Sequence, residues 1–137
     1  MAKNFDVQNV LIHAQPDKVF DYIANPANLP KWTNVFKQAN AKEAVLATPE
    51  GEVAIKLEVN ASKAHGTVDW YMTFPDGSLG TAYSRITPND GGRSSVYTFV
   101  LLAPPVPLEQ LEGTLKQQIE ILAEELKNLQ NILGEQR

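Results

Sequence analysis

The chain has 137 residues, 43% of them hydrophobic and 20% charged, and this size and mix suit one folded domain over residues 1–137 and exclude a disordered chain. No cysteine is present, which excludes disulfides, thiol nucleophiles and thiolate metal sites. The net charge is -4 and the twelve Lys and Arg residues are scattered, so no nucleic-acid partner is expected.

The start, Met1-Ala2-Lys3-Asn4, lacks an apolar run of signal-peptide length. No window approaches the roughly 20 apolar residues of a membrane span. A cytoplasmic location is the expectation. Residues 5–13 read as a strand on Val7, Val10 and Ile12, although imperfect alternation leaves its faces unassigned. Pro16 then opens a short helix in which Val19, Phe20 and Ile23 share a face. Asn25-Pro26 ends it, and a second helical turn places Leu29 and Trp32 on one side, making a corner of two helices.

Residues 35–48 are read as one strand, chiefly from their neighbours, because Ala39, Ala41, Lys42, Glu43 and Ala44 would equally suit a helix. Turn signals then recur at Thr48-Pro49-Glu50-Gly51, Ser62-Lys63-Ala64-His65-Gly66, Pro75-Asp76-Gly77 and Pro88-Asn89-Asp90-Gly91-Gly92. The segments between them have the length of strands in an antiparallel meander. Val53, Ile55, Leu57 and Val59 alternate with polar or small residues, as do Val68, Trp70, Met72 and Phe74. With Pro75-Asp76-Gly77 as the loop, Gly80 and Ala82 oppose Met72 and Trp70, which is either close packing or space beside the rings. The same register gathers Asp69, Tyr71, Tyr83 and Arg85 on the opposite face. Residues 95–102 are apolar almost throughout, so that strand is expected to be central or covered on both sides.

The chain closes on an amphipathic helix over 107–134. Pro107 suits its first turn, Glu109 and Glu112 its positive end, and Gly134 a left-handed cap. Leu108, Leu111, Leu115, Ile119, Leu122, Leu126, Leu129 and Leu133 recur every three or four residues. They form one apolar stripe on a helix of about 26 residues, roughly 39 Å long. The stripe steps nearly as a heptad, so a coiled-coil dimer is the rival to burial against the chain's own sheet. A slip in phase at Leu115–Ile119 favours the sheet. The expectation is a monomer or weak homodimer in which the last turn, Ile132 and Leu133, is able to dock a partner.

The opening run Val10-Leu11-Ile12-His13-Ala14-Gln15-Pro16-Asp17-Lys18-Val19-Phe20-Asp21-Tyr22-Ile23, then Leu29-Pro30-Lys31-Trp32, then the terminal helix, resembles the START-like superfamily. The likeness covers essentially the whole chain and is nearest to small bacterial members of polyketide cyclase or dehydrase type. It implies an α+β helix-grip fold: a curved antiparallel sheet of six to seven strands around the C-terminal helix, with two short helices after the first strand. It also implies an elongated apolar cavity between sheet and helix, with Trp32 near its mouth. These are signatures of fold, and fold alone carries no reaction.

Trp32, Trp70, Met72 and Phe99 are therefore candidates for the cavity wall, with Leu115 and Ile119 for its roof, although each serves equally as solid core. Asp69, Tyr83 and Arg85 are the weak catalytic candidates. Inside a cavity Arg85 could hold an enolate while Asp69 or Tyr83 moves protons; outside, all three are cross-strand partners, and the turn register favours outside. His13 and His65 have no ligand spacing to a carboxylate pair, and no glycine-rich loop runs from strand to helix. No metal or cofactor is expected. Three functions follow in order: binding of a small hydrophobic molecule such as a lipid, isoprenoid or polyketide; a cyclase or dehydrase, on resemblance only; and a protein-interaction or co-chaperone-like module.

Overall fold

A computed structural model describes residues 4–48, 51–103 and 108–134. The alternating segments form strands β1 (Phe5–Ile12), β2 (Phe36–Ala39), β3 (Glu43–Thr48), β4 (Gly51–Ser62), β5 (Thr67–Thr73), β6 (Leu79–Asn89) and β7 (Ser94–Leu102). They make one antiparallel sheet in the order β1-β7-β6-β5-β4-β3-β2. From β2 onward each strand lies beside the next, as short turns dictate. Only β1 is displaced, because α1 (Pro16–Ala24), a 3₁₀ turn (Pro26–Asn28) and α2 (Leu29–Trp32) carry the chain to the far edge. The long helix α3 (Leu108–Gly134) packs against the concave face, completing the expected helix-grip architecture.

Residues 35–48 correct the sequence reading. They form the hairpin β2–β3 rather than one strand. Asn40 Oδ1 accepts the backbone N–H groups of Lys42 and Glu43, each at 2.9 Å, and this side-chain turn reverses the chain. A propensity count over the segment misses it because one asparagine does the work. At the β5 end, Gly66 has φ +73°, and a Cβ there would strike the Ile86 carbonyl. Ile86 N–H donates to Gly66 O at 2.7 Å, so the close approach is itself a link between strands.

β7 is an interior strand, but no layer of the described residues covers its outer face. Tyr97 and Phe99 point in, Val96, Thr98 and Val100 are half-buried, and Leu102 is exposed. β1 is apolar on both faces. Val10 and Ile12 turn inward, whereas Phe5, Val7 and Leu11 are exposed.

Leu122, Leu126, Leu129 and Leu133 of α3 join the same core cluster as Ile12, Val19, Ile23 and Tyr97, and each such burial contributes about 1.5–3 kcal/mol. Two glutamines fasten the helix beside β1. Gln8 Nε2 donates to Ile119 O at 2.9 Å, and Gln130 Nε2 to Leu11 O at 2.7 Å. The last turn docks on its own core: Leu133 is 1% exposed and Ile132 packs against the cluster. The partner-docking role expected for that turn is therefore withdrawn. Gly134 is the final helical residue, without the left-handed backbone expected of a cap. Pro49, Glu50 and Pro107 lie outside the described residues, as do the side chains of Leu108, Glu109, Leu111 and Glu112.

Candidate functional site

The inner face of the sheet carries large rings because its strands alternate. Trp70 on β5 lies between Val59 of β4 and Ala82 of β6, and Met72 lies between Leu57 and Gly80. On β7, Tyr97 lies between Ile86 and Val10, and Phe99 between Ser84 and Gln8. Trp32 arrives from the helical corner. Asn25 Oδ1 accepts the Ala27 N–H there, Asn28 Nδ2 donates to Tyr22 O, and Thr33 Oγ1 donates to Leu29 O, so the corner is closed by its own polar side chains.

These rings form one cluster. Trp32 and Trp70 lie 6.4 Å apart between centroids, Trp32 and Tyr97 6.5 Å, Trp70 and Phe99 5.8 Å, and Tyr97 and Phe99 6.4 Å. Trp70 stacks on Phe99, whereas Tyr97 meets both Trp32 and Phe99 edge-on. The cluster is not wholly apolar. Trp32 Nε1, Trp70 Nε1 and the Tyr97 hydroxyl are buried without a hydrogen-bond partner among the described residues. Burial drives the Tyr97 phenol pKa well up. The neighbouring Ser84 hydroxyl, which donates to Val68 O at 2.7 Å, opposes this. Leaving a buried donor unpaired costs about 1–3 kcal/mol, so three in one cluster are an unusual expense for a core.

Of the residues singled out for the cavity wall, Trp32, Trp70 and Phe99 are thus brought together, and half-buried Met72 packs against them. At Gly80 the chain packs closely, because a Cβ there would lie 3.2 Å from the Phe74 ring and 3.5 Å from the Met72 methyl. Leu115 is buried but stands apart from the main cluster, and Ile119 is half-buried, one turn along. Asp69, Tyr83 and Arg85 lie on the outer face, with Tyr83 and Arg85 exposed. There Tyr83 meets Tyr71 edge-on, with centroids 6.3 Å apart. Partial burial first, then Tyr83 and Asp69, raises the Tyr71 pKa.

Two residues of the site escaped the sequence reading. Tyr97 was visible as the partner of Phe99 at a spacing of two on an inward face. Glu125 was visible as a charge on the apolar stripe, three residues after Leu122 and four before Leu129. It is 8% exposed, and its carboxylate accepts the Asn34 N–H at 2.7 Å. Desolvation raises its pKa, opposed by the backbone N–H groups of Asn34 and Val35. Glu125 thereby ties α3 to the segment just after Trp32.

A separate open cleft of about 700 Å³ lies where β1, α1 and the β6–β7 turn meet, lined by His13, Gln15, Lys18, Asp90 and Arg93 among others. None of the candidate wall or roof residues lines it, and its Arg93–Asp90 pair, at 3.2 Å, is exposed. The buried unpaired donors lie elsewhere, so the aromatic cluster is the candidate site. Among the described residues no group of three His, Asp or Glu side chains is placed to hold a metal, and no helix is long and apolar enough to cross a membrane.

Comparison with solved structures finds the same fold at low identity. An uncharacterised protein from Bacillus thuringiensis superposes with TM-score 0.70 at 13% identity, over 94% of this chain and 98% of its own. A START superfamily protein from Mycobacterium smegmatis gives 0.67 at 14%, over 96% and 99%. The di-domain ARO/CYC protein BexL of the BE-7585A biosynthetic pathway gives 0.72 at 10%, over 94% of this chain and 46% of its own. No functionally curated protein matches the chain. The sequence itself matches one family across residues 6–133, and the chain accordingly belongs to the polyketide cyclase / dehydrase and lipid transport family.

Proposed function

We propose that this protein binds a small hydrophobic molecule, of the lipid, isoprenoid or polyketide class, between the concave face of its sheet and α3. The observation that carries this reading is the ring cluster of Trp32, Trp70, Tyr97 and Phe99, with three buried donors that no described residue satisfies. Flat apolar walls with a few placed polar groups are what a ligand site needs. Family membership and the START-like neighbour support it. Carriage or sequestration is favoured over turnover, because Asp69, Tyr83 and Arg85 share the outer face, remote from the rings. Native mass spectrometry of gently purified protein should find a bound apolar molecule, or a fluorescent fatty-acid probe should bind near one to one. Failure of both would remove the proposal.

A second reading has its own observation. Phe5, Val7, Leu11 and Leu102 are 37–48% exposed, and the register sets Phe5 beside Leu102 and Val7 beside Val100. Such an outer apolar row fits docking of a protein partner. Val7→Lys should abolish any association seen by light scattering while leaving probe binding intact; unchanged association would end this reading.

A further inference from the structure

We propose that the interior site selects ligands by polarity as well as by shape: it takes a flat apolar molecule carrying a ketone-type oxygen in preference to the hydrocarbon. The inference rests on the reading of the ring cluster as a ligand site and adds the chemistry of what is recognised. The three unpaired groups are of one kind. An indole N–H is a donor only, and Trp32 and Trp70 supply two of them. The Tyr97 hydroxyl donates as well, and it is fully buried. Ser84, a buried hydroxyl opposite Phe99, spends its proton on Val68 O, so it adds no donor and keeps its oxygen as an acceptor.

The ring cluster is therefore rich in donors. A hydrocarbon would leave the donors unpaired. A carbonyl oxygen, with two lone pairs and no proton, satisfies up to two of them and brings no donor of its own. A site built to hydrogen-bond one group discriminates far more sharply than an apolar pocket sorting by size alone.

Fluorene and fluorenone share one three-ring frame and differ only in this group, which makes them the probes. The protein's two tryptophans are both in the cluster, so its two indole N–H signals in a nitrogen-labelled NMR spectrum report the site directly. Fluorenone should bind at least about tenfold tighter than fluorene, while moving at least one indole N–H signal downfield. Tyr97→Phe keeps the ring and Trp70→Phe leaves a smaller one, and each removes one donor; at least one should narrow the preference for the ketone. Tyr97→Phe should also leave the unliganded protein as stable as wild type or more so, since it deletes an unpaired hydroxyl, an outcome that distinguishes recognition from a structural role. Equal affinity for fluorene and fluorenone, or indole signals that stay in place when fluorenone binds, would overturn the selectivity and leave the binding site standing. If no probe binds and no apolar molecule copurifies, the site reading falls and this inference with it.

Discussion

Strands β5, β6 and β7 present two faces made by the same alternation, and the two treat polar groups in opposite ways. Outside, Tyr71 and Tyr83 meet edge-on beside Arg85 and Asp69, where water satisfies whatever the protein does not. Inside, Trp70, Tyr97 and Phe99 are 0–9% exposed, and two of the three keep a donor with no described partner. A polar group at the surface costs little. The same group in the core must be paired or it opposes folding. The inner face is therefore where the chain departs from what stability alone selects, a departure expected at functional or strained positions.

The contrast is broken most severely by Trp70→Ala. Deleting a buried ring on the inner face should cost about 3–5 kcal/mol in a urea titration and abolish probe binding. Equal losses from Tyr83→Ala on the outer face would show that the two faces do not differ.

Next comes Glu125→Ala, which leaves the Asn34 N–H without its acceptor and should cost about 1–3 kcal/mol, with loosening of the segment around Trp32 seen by hydrogen exchange. Glu125→Gln keeps an acceptor oxygen and removes the charge. Because desolvation raises the folded-state pKa above the ordinary 4.5, the folded protein holds this proton more tightly than the unfolded chain. The carboxyl's contribution therefore favours folding fully below pH 4.5 and is lost as pH rises through the folded value. The glutamine variant should lack that loss, so its advantage over wild type should grow from acid to neutral pH. A constant difference across that range would show that Glu125 is not buried as an acid.

A smaller effect belongs to the outer ring pair. A double-mutant cycle on Tyr71→Leu and Tyr83→Leu should give a favourable coupling well below the loss at Trp70, since both rings keep contact with water. Smallest of all is Lys63→Ala. The Lys63–Asp21 pair at 3.0 Å is about half exposed on each side, and its removal should leave the denaturation midpoint within error of wild type.

How much of this was legible in the residues varies by element. The stripe of Leu122, Leu126, Leu129 and Leu133 announced α3 because a three-to-four period has one structural meaning over so many turns. The opposition of Trp70 to Ala82 and of Met72 to Gly80 was legible too, since one loop length sets a whole register. The hairpin β2–β3 was not, because Asn40 makes its turn through a side chain that a propensity count weighs as one residue. The faces of β1 were not legible either, since Val7, Val10, Leu11 and Ile12 are apolar on both sides of the strand.

Local pattern by itself determined the helix, the meander and which residues are greasy, because period and turn chemistry act within a few positions. Only the folded chain decided that Trp32, sequentially remote from Tyr97, lies 6.5 Å from it, and that Glu125 meets Asn34. Whether a buried donor has a partner depends on atoms from every surrounding segment, and no window of sequence contains them all.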